Sequence, residues 1–563
     1  MPGPSTITTL TRVIAITGAQ SGIERSASSL PVNMTLNERS PEPRSENRMA
    51  PGPNVRTSAT QPVNKVRRAP LYSNATQSTI AEARKIVKAA IDEQSLYNEQ
   101  LFKNPRRNVM SYNTTENLRR RGTDLPNIKV NETVADAAAL LAEIEAAGTP
   151  LNLTSSSNIK RSVEARDKRQ ATSWWVDEIT HDGMMAFNPN KTSYQVWRNV
   201  VNYGADPSGQ LDSTKAINAA ISDGFRCGAG CNSSSINGAI VYFPEGTYLI
   251  SGSIISMYNT QMVGSPLNKP TIKAASSFVG LGVISSDVYI DGGNGNEWYI
   301  NQNNFFRQIR NFVIDIRAAT VAYPAGLHWQ VAQATSLQNI DFLQNTGTQQ
   351  GIFAENGSGG FMSDLTFTGG NFGLYGGNQQ YTVRNLKFTG CTTGIGLIWD
   401  WGWTWKDLTF VNCGTGINMI GAGGARNTGS IYLLDSTFQG TSVAIVSTTP
   451  LAGAGAGTTY ITLDNVVLQN SPIAIQDSTG ATILSGGSTT INSWTLGRVY
   501  NGQNPTGVYS SGGNTSPLRP LTSSLRGNSN RGYFTRSKPQ YETYSATSII
   551  NVKTYAGCAG KLF

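Results

Sequence analysis

The feature that most constrains the fold is a short motif that recurs along the second half of the chain. It consists of Asn or Asp, usually an apolar residue, any residue, and then Phe or an aliphatic residue. Successive motifs are 28, 25, 21, 22, 28 and 30 residues apart, beginning at Asn311, Asn339, Asp364, Asn385, Asp407, Asp435 and Asn465. Self-similarity at such a period indicates a repeat architecture.

A second motif, a small residue followed by an aliphatic one, runs in the same cycle. Its spacings are 25, 22, 21, 22, 28 and 30 residues, beginning at Gly326, Gly351, Gly373, Gly394, Gly416, Ala444 and Ala474. Since the two motifs lengthen and shorten together, they belong to one repeating unit. Each unit therefore contains at least two short strands joined by turns of variable length, which predicts a solenoid.

A right-handed parallel β-helix fits this pattern better than a leucine-rich repeat. The units are rich in Gly, Thr and Asn with β-branched or aromatic centres, whereas a leucine-rich repeat needs a Leu-rich consensus. Coils of a β-helix stack at about 4.8 Å, so the recurring Asn and Asp form a side-chain ladder at one corner. We therefore expect the Asp carboxylates of the ladder to be structural. The same stacking predicts an aromatic column in the core, formed by Phe342, Phe367, Phe388, Phe410 and Phe438.

Composition divides the chain near residue 170. Residues 1–169 are rich in Pro, Ser, Asn and Arg, which predicts a largely disordered, pro-segment-like region. Apolar residues at helical spacing predict two helices within it, at about Ser78–Phe102 and Val134–Ala147. The β-helix domain is predicted over residues 170–535, with an amphipathic helix at Asp212–Asp223 that covers its first coil.

Residues 536–563 resemble the start of a second β-helix. The run Asn551–Gly557 echoes Asn199–Ala205, which opens the predicted β-helix domain, and the sequence stops soon afterwards at Phe563. A truncated or frameshifted product is the simplest expectation for this pattern.

Charge and hydropathy limit the kinds of partner that the chain can bind. The net charge is +9, but the basic residues cluster before residue 170 without interleaved aromatic residues, which argues against nucleic-acid binding. No run reaches the roughly 18–20 apolar residues of a membrane span. A sparsely charged, aromatic composition rich in Gly, Thr and Asn suits a secreted or cell-wall sugar-binding protein. The nine Asn-x-Ser/Thr sequons are usable only if the chain enters the secretory route, and Ile7–Ala19 is a poor signal peptide. The pair Lys168–Arg169 is either a kexin-like processing site or an ordinary charged linker.

The cysteines suggest disulfides. Cys391 and Cys413 each lie six residues after their ladder residue, so they occupy one site on adjacent coils. We favour a bridge between them, with two stacked core thiols as the alternative. Cys227 and Cys231 flank a Gly-rich loop, and a local bridge is favoured over a metal site because no His or further Cys is nearby.

The chain resembles a known family over about residues 172–555. The block Asn199–Ile250 looks like the opening of the pectate-lyase-like β-helix superfamily. Three longer strings, Tyr299–Asp315, His328–Asn339 and Gly351–Phe361, resemble fungal glycoside hydrolase family 55. This resemblance implies an exo-acting, inverting 1,3-β-glucanase that needs no cofactor or metal.

An inverting glycosidase needs one carboxylic acid and a second group that positions a water on the opposite face of the sugar. The resemblance implies that Ser358 and one of Gln330 and Gln333 position the water, with hydrogen bonding inside the coil as their alternative role. Glu355 is a weaker site candidate, since a turn role is equally compatible. The family's general acid is expected from a second β-helix, which this sequence lacks, so activity is expected to be impaired.

The run Trp399 to Trp405 carries four tryptophans at alternate positions. Alternation places all four rings on one face if the run is a single strand. Trp405 falls at a core position, whereas a bend at Gly402 would free Trp399, Trp401 and Trp403 to stack on the apolar faces of sugars. Core packing is the alternative for all of them.

Other functions fit less well. A polysaccharide lyase would need Asp or Glu ligands for calcium beside a basic residue, and no such cluster is visible. The chain has two histidines, His181 and His328, which argues against a His-based metal site or triad. We therefore expect a 1,3-β-glucan hydrolase, with a non-catalytic glucan-binding or wall-associated protein as the alternative.

Overall fold

The structure is a computed structural model that describes residues 68–105, 130–148, 174–181, 185–231, 233–290, 297–300, 303–448, 460–500, 502 and 507–512. Its helices are α1 Gln77–Lys103, α2 Glu132–Ala146, α3 Trp175–Glu178 and α4 Thr214–Ser222, with short 3-10 turns at Leu71–Asn74, Val200–Tyr203 and Ala422–Gly424. Both helices expected before the repeats are therefore present, as is the helix before the first coils.

Strands make up most of the remaining described chain. They are β1 Trp197–Asn199, β2 Ser208–Asp212, β3 Ala239–Phe243, β4 Thr247–Ile255, β5 Thr260–Gly264, β6 Thr271–Ser285, β7 Arg307–Asp315, β8 Ala325–His328, β9 Ser336–Leu343, β10 Gln350–Ala354, β11 Phe361–Thr368, β12 Phe372–Asn378, β13 Thr382–Thr389, β14 Thr393–Asp400, β15 Trp403–Val411, β16 Thr415–Asn418, β17 Ser430–Leu434, β18 Thr437–Gln439, β19 Val443–Val446, β20 Tyr460–Gln476, β21 Thr482–Val499 and β22 Val508–Gly512.

The strands stack in parallel, each on the equivalent strand of the next coil. One stack contains β7, β9, β11, β13 and β15, and the other contains β8, β10, β12, β14 and β16. Alternate strands pair within these two stacks, so this part of the chain winds as a solenoid and does not turn back as a hairpin. The predicted parallel β-helix is confirmed.

The ladder residue bends each coil. All seven ladder residues have φ between 49° and 64°, in the left-handed region that Asn and Asp tolerate better than other non-glycine residues. The ladder also bonds across coils, since the amide of Asn385 donates to Asp364 at 2.6 Å and that of Asn339 donates to Asn311 at 2.9 Å. The motif therefore begins with Asn or Asp because of its backbone conformation as well as its side-chain bonds.

The aromatic column is confirmed, and it explains why the two motifs vary together. Adjacent rings of the five predicted phenylalanines are 4.6–4.9 Å apart and nearly coplanar. Each glycine of the second motif lies against the ring of the next coil. A Cβ on Gly373 would lie 2.4 Å from Phe388, and one on Gly416 would lie 2.4 Å from Phe438.

Both ends of the described solenoid are covered. Ile217, Ala220 and Ile221 of α4 are buried against the first coils, as expected for a capping helix. At the other end, β21 pairs antiparallel with β20 and β22 pairs antiparallel with β21. The antiparallel strands satisfy the edge that the last parallel coil would otherwise expose.

The α1 and α2 helices pack on the outside of the β-helix. Leu101 of α1 is buried with Phe353, Tyr375 and Trp399 on the outer face of β10, β12 and β14. The buried amide of Asn98 donates to the carbonyls of Gly280 at 3.2 Å and Ala322 at 3.0 Å. The α1 helix therefore covers a strand face that would otherwise expose a row of aromatic rings, while α2 packs on Leu249 of β4 and Ala275 of β6.

The cysteines follow one prediction and overturn another. Cys227 and Cys231 form the expected local disulfide. The favoured bridge between Cys391 and Cys413 is wrong, because both are free, buried thiols, and Cys413 directs its Sγ to the carbonyl of Val411 at 3.7 Å. Side chains at one site on stacked coils point in parallel directions, whereas a disulfide needs Cβ atoms that converge to about 3.5–4.5 Å.

The predicted start of a second β-helix at 536–563 and the Lys168–Arg169 pair lie outside the described residues. Among the described helices, none combines the length and apolar character needed to span a membrane.

Candidate functional site

The turn between β10 and β11, residues 355–360, presents the first candidate group. Gly357, Gly359 and Gly360 have φ of 139°, 131° and 153°, a region that glycine enters without a Cβ clash. A Cβ on Gly357 would lie 2.1 Å from the carbonyl oxygen of Val331, so the turn lies directly on the preceding coil. This close contact fixes Ser358 at the corner of the solenoid.

Ser358 pairs with one of the two candidate glutamines. Its hydroxyl donates to Oε1 of Gln333 at 3.0 Å. Gln333 is exposed on the preceding coil, whereas Ser358 is largely buried. Gln330 is also buried and bonds to a different set of groups. The structure therefore brings Ser358 together with Gln333 and not with Gln330.

Successive corners continue this surface along the solenoid. Gln379 N–H donates to the carbonyl of Gly357 at 3.3 Å, and Trp401 N–H donates to that of Gln379 at 3.0 Å. Gln380 and Trp401 are exposed on these corners. Gln333, Ser358, Gln380 and Trp401 are called the corner row below. With coils about 4.8 Å apart, Trp401 lies about 10 Å along the axis from Ser358.

The four tryptophans of the aromatic run separate in the structure. Gly402 lies between the end of β14 and the start of β15, so the run bends there. Trp401 is 57% exposed, but Trp403 is 1% exposed and its ring stacks on Trp405 at 4.9 Å. Trp399 is 4% exposed, beneath α1, and donates to the carbonyl of Glu355 at 3.0 Å. Of the three predicted sugar contacts, Trp401 alone offers its ring to solvent, and core packing describes Trp403.

Asp400 supports the corner that presents Trp401. One carboxylate oxygen accepts from the N–H groups of Gly429 at 2.6 Å and Ser430 at 3.2 Å. Burial raises the pKa of Asp400 to about 7, against the opposing effect of these two N–H groups. Asp400 was not among the residues predicted from the sequence, although its place within the tryptophan run was the available signal.

Glu355 is turned away from the corner row. Its carboxylate is fully buried and accepts from the Tyr289 hydroxyl and from Gln330 Nε2 at 3.1 Å, with His328 Nε2 at 3.2 Å. Gln330 Nε2 also donates to Glu297. These five residues are called the buried cluster below. These mutual hydrogen bonds give Glu355 and Gln330 a structural role inside the fold. A structural role was the alternative to a catalytic role for both residues.

The buried cluster continues to Ser285, which lies 3.0 Å from Nδ1 of His328. A serine, a histidine and a glutamate in hydrogen-bonded order are the parts of a nucleophilic triad. However, the Ser285 hydroxyl also donates to the carbonyl oxygen of Asp287 at 2.5 Å, which directs its proton away from the imidazole. We therefore assign Ser285 no nucleophilic role.

The sequence could not reveal the buried cluster, because its members come from β8, a turn after β10 and a loop near residue 289. Only the fold brings them together. Within the part of the chain that the structure describes, no group of three or more His, Cys, Asp or Glu side chains could hold a metal ion.

Comparison with known proteins identifies relatives of this chain. Residues 197–418 match a family described as rhamnogalacturonase A/epimerase, pectate lyase-like. The chain is 46% identical over 336 residues to a probable glucan endo-1,3-beta-glucosidase of Arthroderma benhamiae, covering 59% of this chain and 38% of that protein. It is 39% identical over 396 residues to a glucan 1,3-beta-glucosidase of Cochliobolus carbonum, covering 69% and 49% respectively.

A third relative carries a different description. A non-secreted LysM effector of Penicillium expansum is 43% identical over 427 residues, covering 74% of this chain and 30% of that protein. The chain thus spans 30% to 49% of the length of these three relatives.

Proposed function

Because the chain carries a pectate-lyase-like β-helix domain, we propose that it acts on 1,3-β-glucan as a hydrolase of the glycoside hydrolase family 55 type. The corner row binds the glucan and positions the attacking water. One relative is named a probable glucan endo-1,3-beta-glucosidase and another a glucan 1,3-beta-glucosidase, which supports this substrate class. An inverting, exo-acting mechanism and a secreted or cell-wall location follow from the family resemblance and belong to the same proposal.

The observation that carries the proposal is the bond between Ser358 and Gln333. A serine hydroxyl can donate to Gln333 Oε1 and at the same time accept from a water, while the Gln333 amide can donate to that water. The two side chains can therefore fix one water with a lone pair directed outward. Positioning a water on one face of the sugar is what inversion requires.

Trp401 supplies the sugar contact. Its exposed ring lies about two coils from Ser358, a distance of about 10 Å, so a glucan lying along the corners could reach both groups. Trp399 and Trp403 are excluded from this role by their burial.

The corner row itself contains no carboxylate, and Glu355 is directed into the buried cluster. The proton for the leaving oxygen must then come from a residue outside the corner row. The resemblance assigns the general acid to a second β-helix and not to the one that carries the corner row.

The missing carboxylate also favours a second candidate function, glucan binding without turnover. A relative described as an effector and not as a hydrolase is compatible with this alternative. The two candidates share the Trp401 contact and differ in whether Ser358 and Gln333 affect a rate.

One experiment separates the two. Binding to laminarin-type glucan and release of reducing sugar are measured for the chain and for Ser358→Ala, Gln333→Ala and Trp401→Ala. We expect Trp401→Ala to weaken binding about tenfold, or ~1.4 kcal/mol. Ser358→Ala and Gln333→Ala should retain binding and lower any release.

Gln439→Ala is the matched control, because Gln439 is an exposed glutamine on β18, away from the corner row. An unchanged rate of release in both Ser358→Ala and Gln333→Ala would refute the water-positioning role. Binding without release by the unaltered chain would favour the second function.

A further inference from the structure

A second row of side chains runs parallel to the corner row, on the outer faces of four stacked strands. The strands are β11, β13, β15 and β17, and the register partners on successive coils are Phe361, Thr382, Thr404 and Tyr432. These four residues are called the strand row below. The residue that follows each of them is buried in the core, so the strand row faces outward.

The side chains of the strand row are accessible from solvent. Tyr432 is 41% exposed, Thr382 and Thr404 are also exposed, and Phe361 is half-buried. Since coils are about 4.8 Å apart, Phe361 and Tyr432 lie three coils, or about 14 Å, from each other along the solenoid axis. The row therefore presents an aromatic ring at each end and a hydroxyl group on each of the two coils between them.

The strand row lies beside the corner row. Thr382 follows Gln380 by two residues, and Thr404 follows Trp401 by three. An extended residue rises about 3.3 Å, so the two rows are at most about 10 Å apart. A polymer that lies along the solenoid axis is therefore within reach of both rows.

The chemistry of the strand row suits a chain of sugar units. The flat rings of Phe361 and Tyr432 can cover the apolar faces of two pyranose units. Each threonine hydroxyl between them can donate one hydrogen bond and accept others, which matches the hydroxyl edges of the intervening units. A ligand must be longer than a disaccharide to touch both rings.

The charges beside the strand row favour a neutral polymer. The row itself is uncharged. Two residues further along β15, Lys406 pairs with Asp407 at 2.7 Å and with Asp435 at 3.3 Å. The equivalent position on β13 holds Arg384, which is half-buried. An acidic polymer would have to displace the ladder carboxylates from Lys406, whereas a neutral polymer leaves these ion pairs intact.

We propose that the strand row is an extended binding surface for a 1,3-β-glucan chain that lies along the solenoid axis, with Phe361 and Tyr432 as its end contacts. This inference rests on the proposed function, since the corner row contacts the same chain through Trp401. The strand row sets the length of glucan that binds well, because a ligand has to span three coils to contact both rings.

Isothermal titration calorimetry of the full chain with laminaribiose and with laminarihexaose tests the proposal. Tyr432→Ala removes an exposed end ring, so the affinity for the hexaose should fall about tenfold while that for the biose changes less than about twofold. Tyr432→Phe keeps the ring and should retain the hexaose affinity. Phe361→Leu keeps apolar bulk at a half-buried position but removes the flat ring, and we expect the same selective loss.

Two further variants are the controls. Phe187→Ala removes a ring that is 77% exposed but lies before β1, and it should change neither affinity. Trp401→Ala should weaken binding of both oligosaccharides, because it acts at the corner row.

The outcomes separate this inference from the proposed function. If the unaltered chain binds neither oligosaccharide, both fail. If it binds the hexaose and neither Tyr432→Ala nor Phe361→Leu weakens that binding, the role of the strand row alone is refuted. Equal losses for the biose and the hexaose would overturn its role in setting length. Polygalacturonate binding as tight as hexaose binding would overturn the assignment to a neutral polymer.

Discussion

At the scale of single residues, the buried carboxyl of Asp400 supports the corner that presents Trp401. Its carboxylate accepts hydrogen bonds from the N–H groups of Gly429 and Ser430, next to the exposed Trp401. Its second oxygen is buried without a partner among the described residues. Ionising a carboxyl in such a place is costly, which is why burial raises its pKa to about 7.

This pKa predicts a pH dependence of stability. A carboxyl with a raised pKa in the folded state stabilises the fold fully below its unfolded value of about 3.9, and this contribution is lost as the pH rises to about 7. The unaltered chain should therefore lose stability relative to Asp400→Asn between pH 4 and pH 7, by at most about 4 kcal/mol.

Urea unfolding at a series of pH values measures this difference. The pH-dependent part of the difference in the free energy of unfolding between the two proteins should be smallest near pH 4. The difference should be constant above about pH 7.5. A difference in the free energy of unfolding that stays flat from pH 4 to pH 7 would contradict the prediction.

Single positions also show where sequence reasoning succeeds. The ladder residues were predictable because a left-handed bend recurs at one place in each coil and favours Asn or Asp each time. Glu355 was not predictable, since its partners His328 and Tyr289 lie 27 and 66 residues away. Gln330 and Gln333 differ in burial, which depends on the neighbouring coils and not on the local sequence.

At the scale of elements, the contact between a glycine and the next coil's phenylalanine holds the two motifs in step. One coil of this protein is a natural exception to this pairing. There, Ala444 occupies the glycine position, and the next residue of the core column after Phe438 is Leu468. A leucine is narrower than a ring, so a Cβ at the glycine position can be accommodated.

This exception predicts the outcome of a double mutant. Gly373→Ala places a Cβ 2.4 Å from the ring of Phe388, and we expect it to destabilise the fold by about 1–3 kcal/mol. Adding Phe388→Leu should recover part of that loss, so the double mutant is less destabilised than the sum of the single mutants.

Denaturant unfolding of the four proteins in this cycle measures the coupling. Gly390→Ala is a useful comparison, since a Cβ there meets no atom within 4 Å and its cost arises from the positive φ of 65° alone. Additive effects of Gly373→Ala and Phe388→Leu would show that the ring and the glycine do not interact.

At the scale of the whole molecule, the fold could be predicted from its repeats, but the position of the first two helices could not. Their apolar spacing predicted α1 and α2 as helices without indicating what they cover. The α2 helix packs against Leu249 of β4 and Ala275 of β6, and α1 packs against the outer residues of β10, β12 and β14, some 250 residues further along the chain. The aromatic row of Phe353, Tyr375 and Trp399 on that face was the missed signal, because outward-facing rings need a cover.

Removing one anchor should loosen this cover. Leu101 is 1% exposed against the aromatic row, so Leu101→Ala should cost about 2–5 kcal/mol. Because α1 packs on the outside of the stacked coils, we expect the loss to appear first as faster hydrogen exchange in α1.

Leu96→Ala is the matched control, since Leu96 lies on the same helix and is 58% exposed. It should leave exchange in α1 unchanged. Equal exchange in the two variants would mean that Leu101 does not anchor the helix.

The interlocking of each glycine with the next coil's ring also has an evolutionary consequence. Insertion or deletion of part of a coil disrupts both the row of glycines and the row of phenylalanines. Duplication or deletion of one entire coil leaves both rows in register. Drift in length is then confined to the turns, where spacings range from 21 to 30 residues. We expect the lineage of this domain to have grown by duplication of whole coils, with novelty accumulating at the corners.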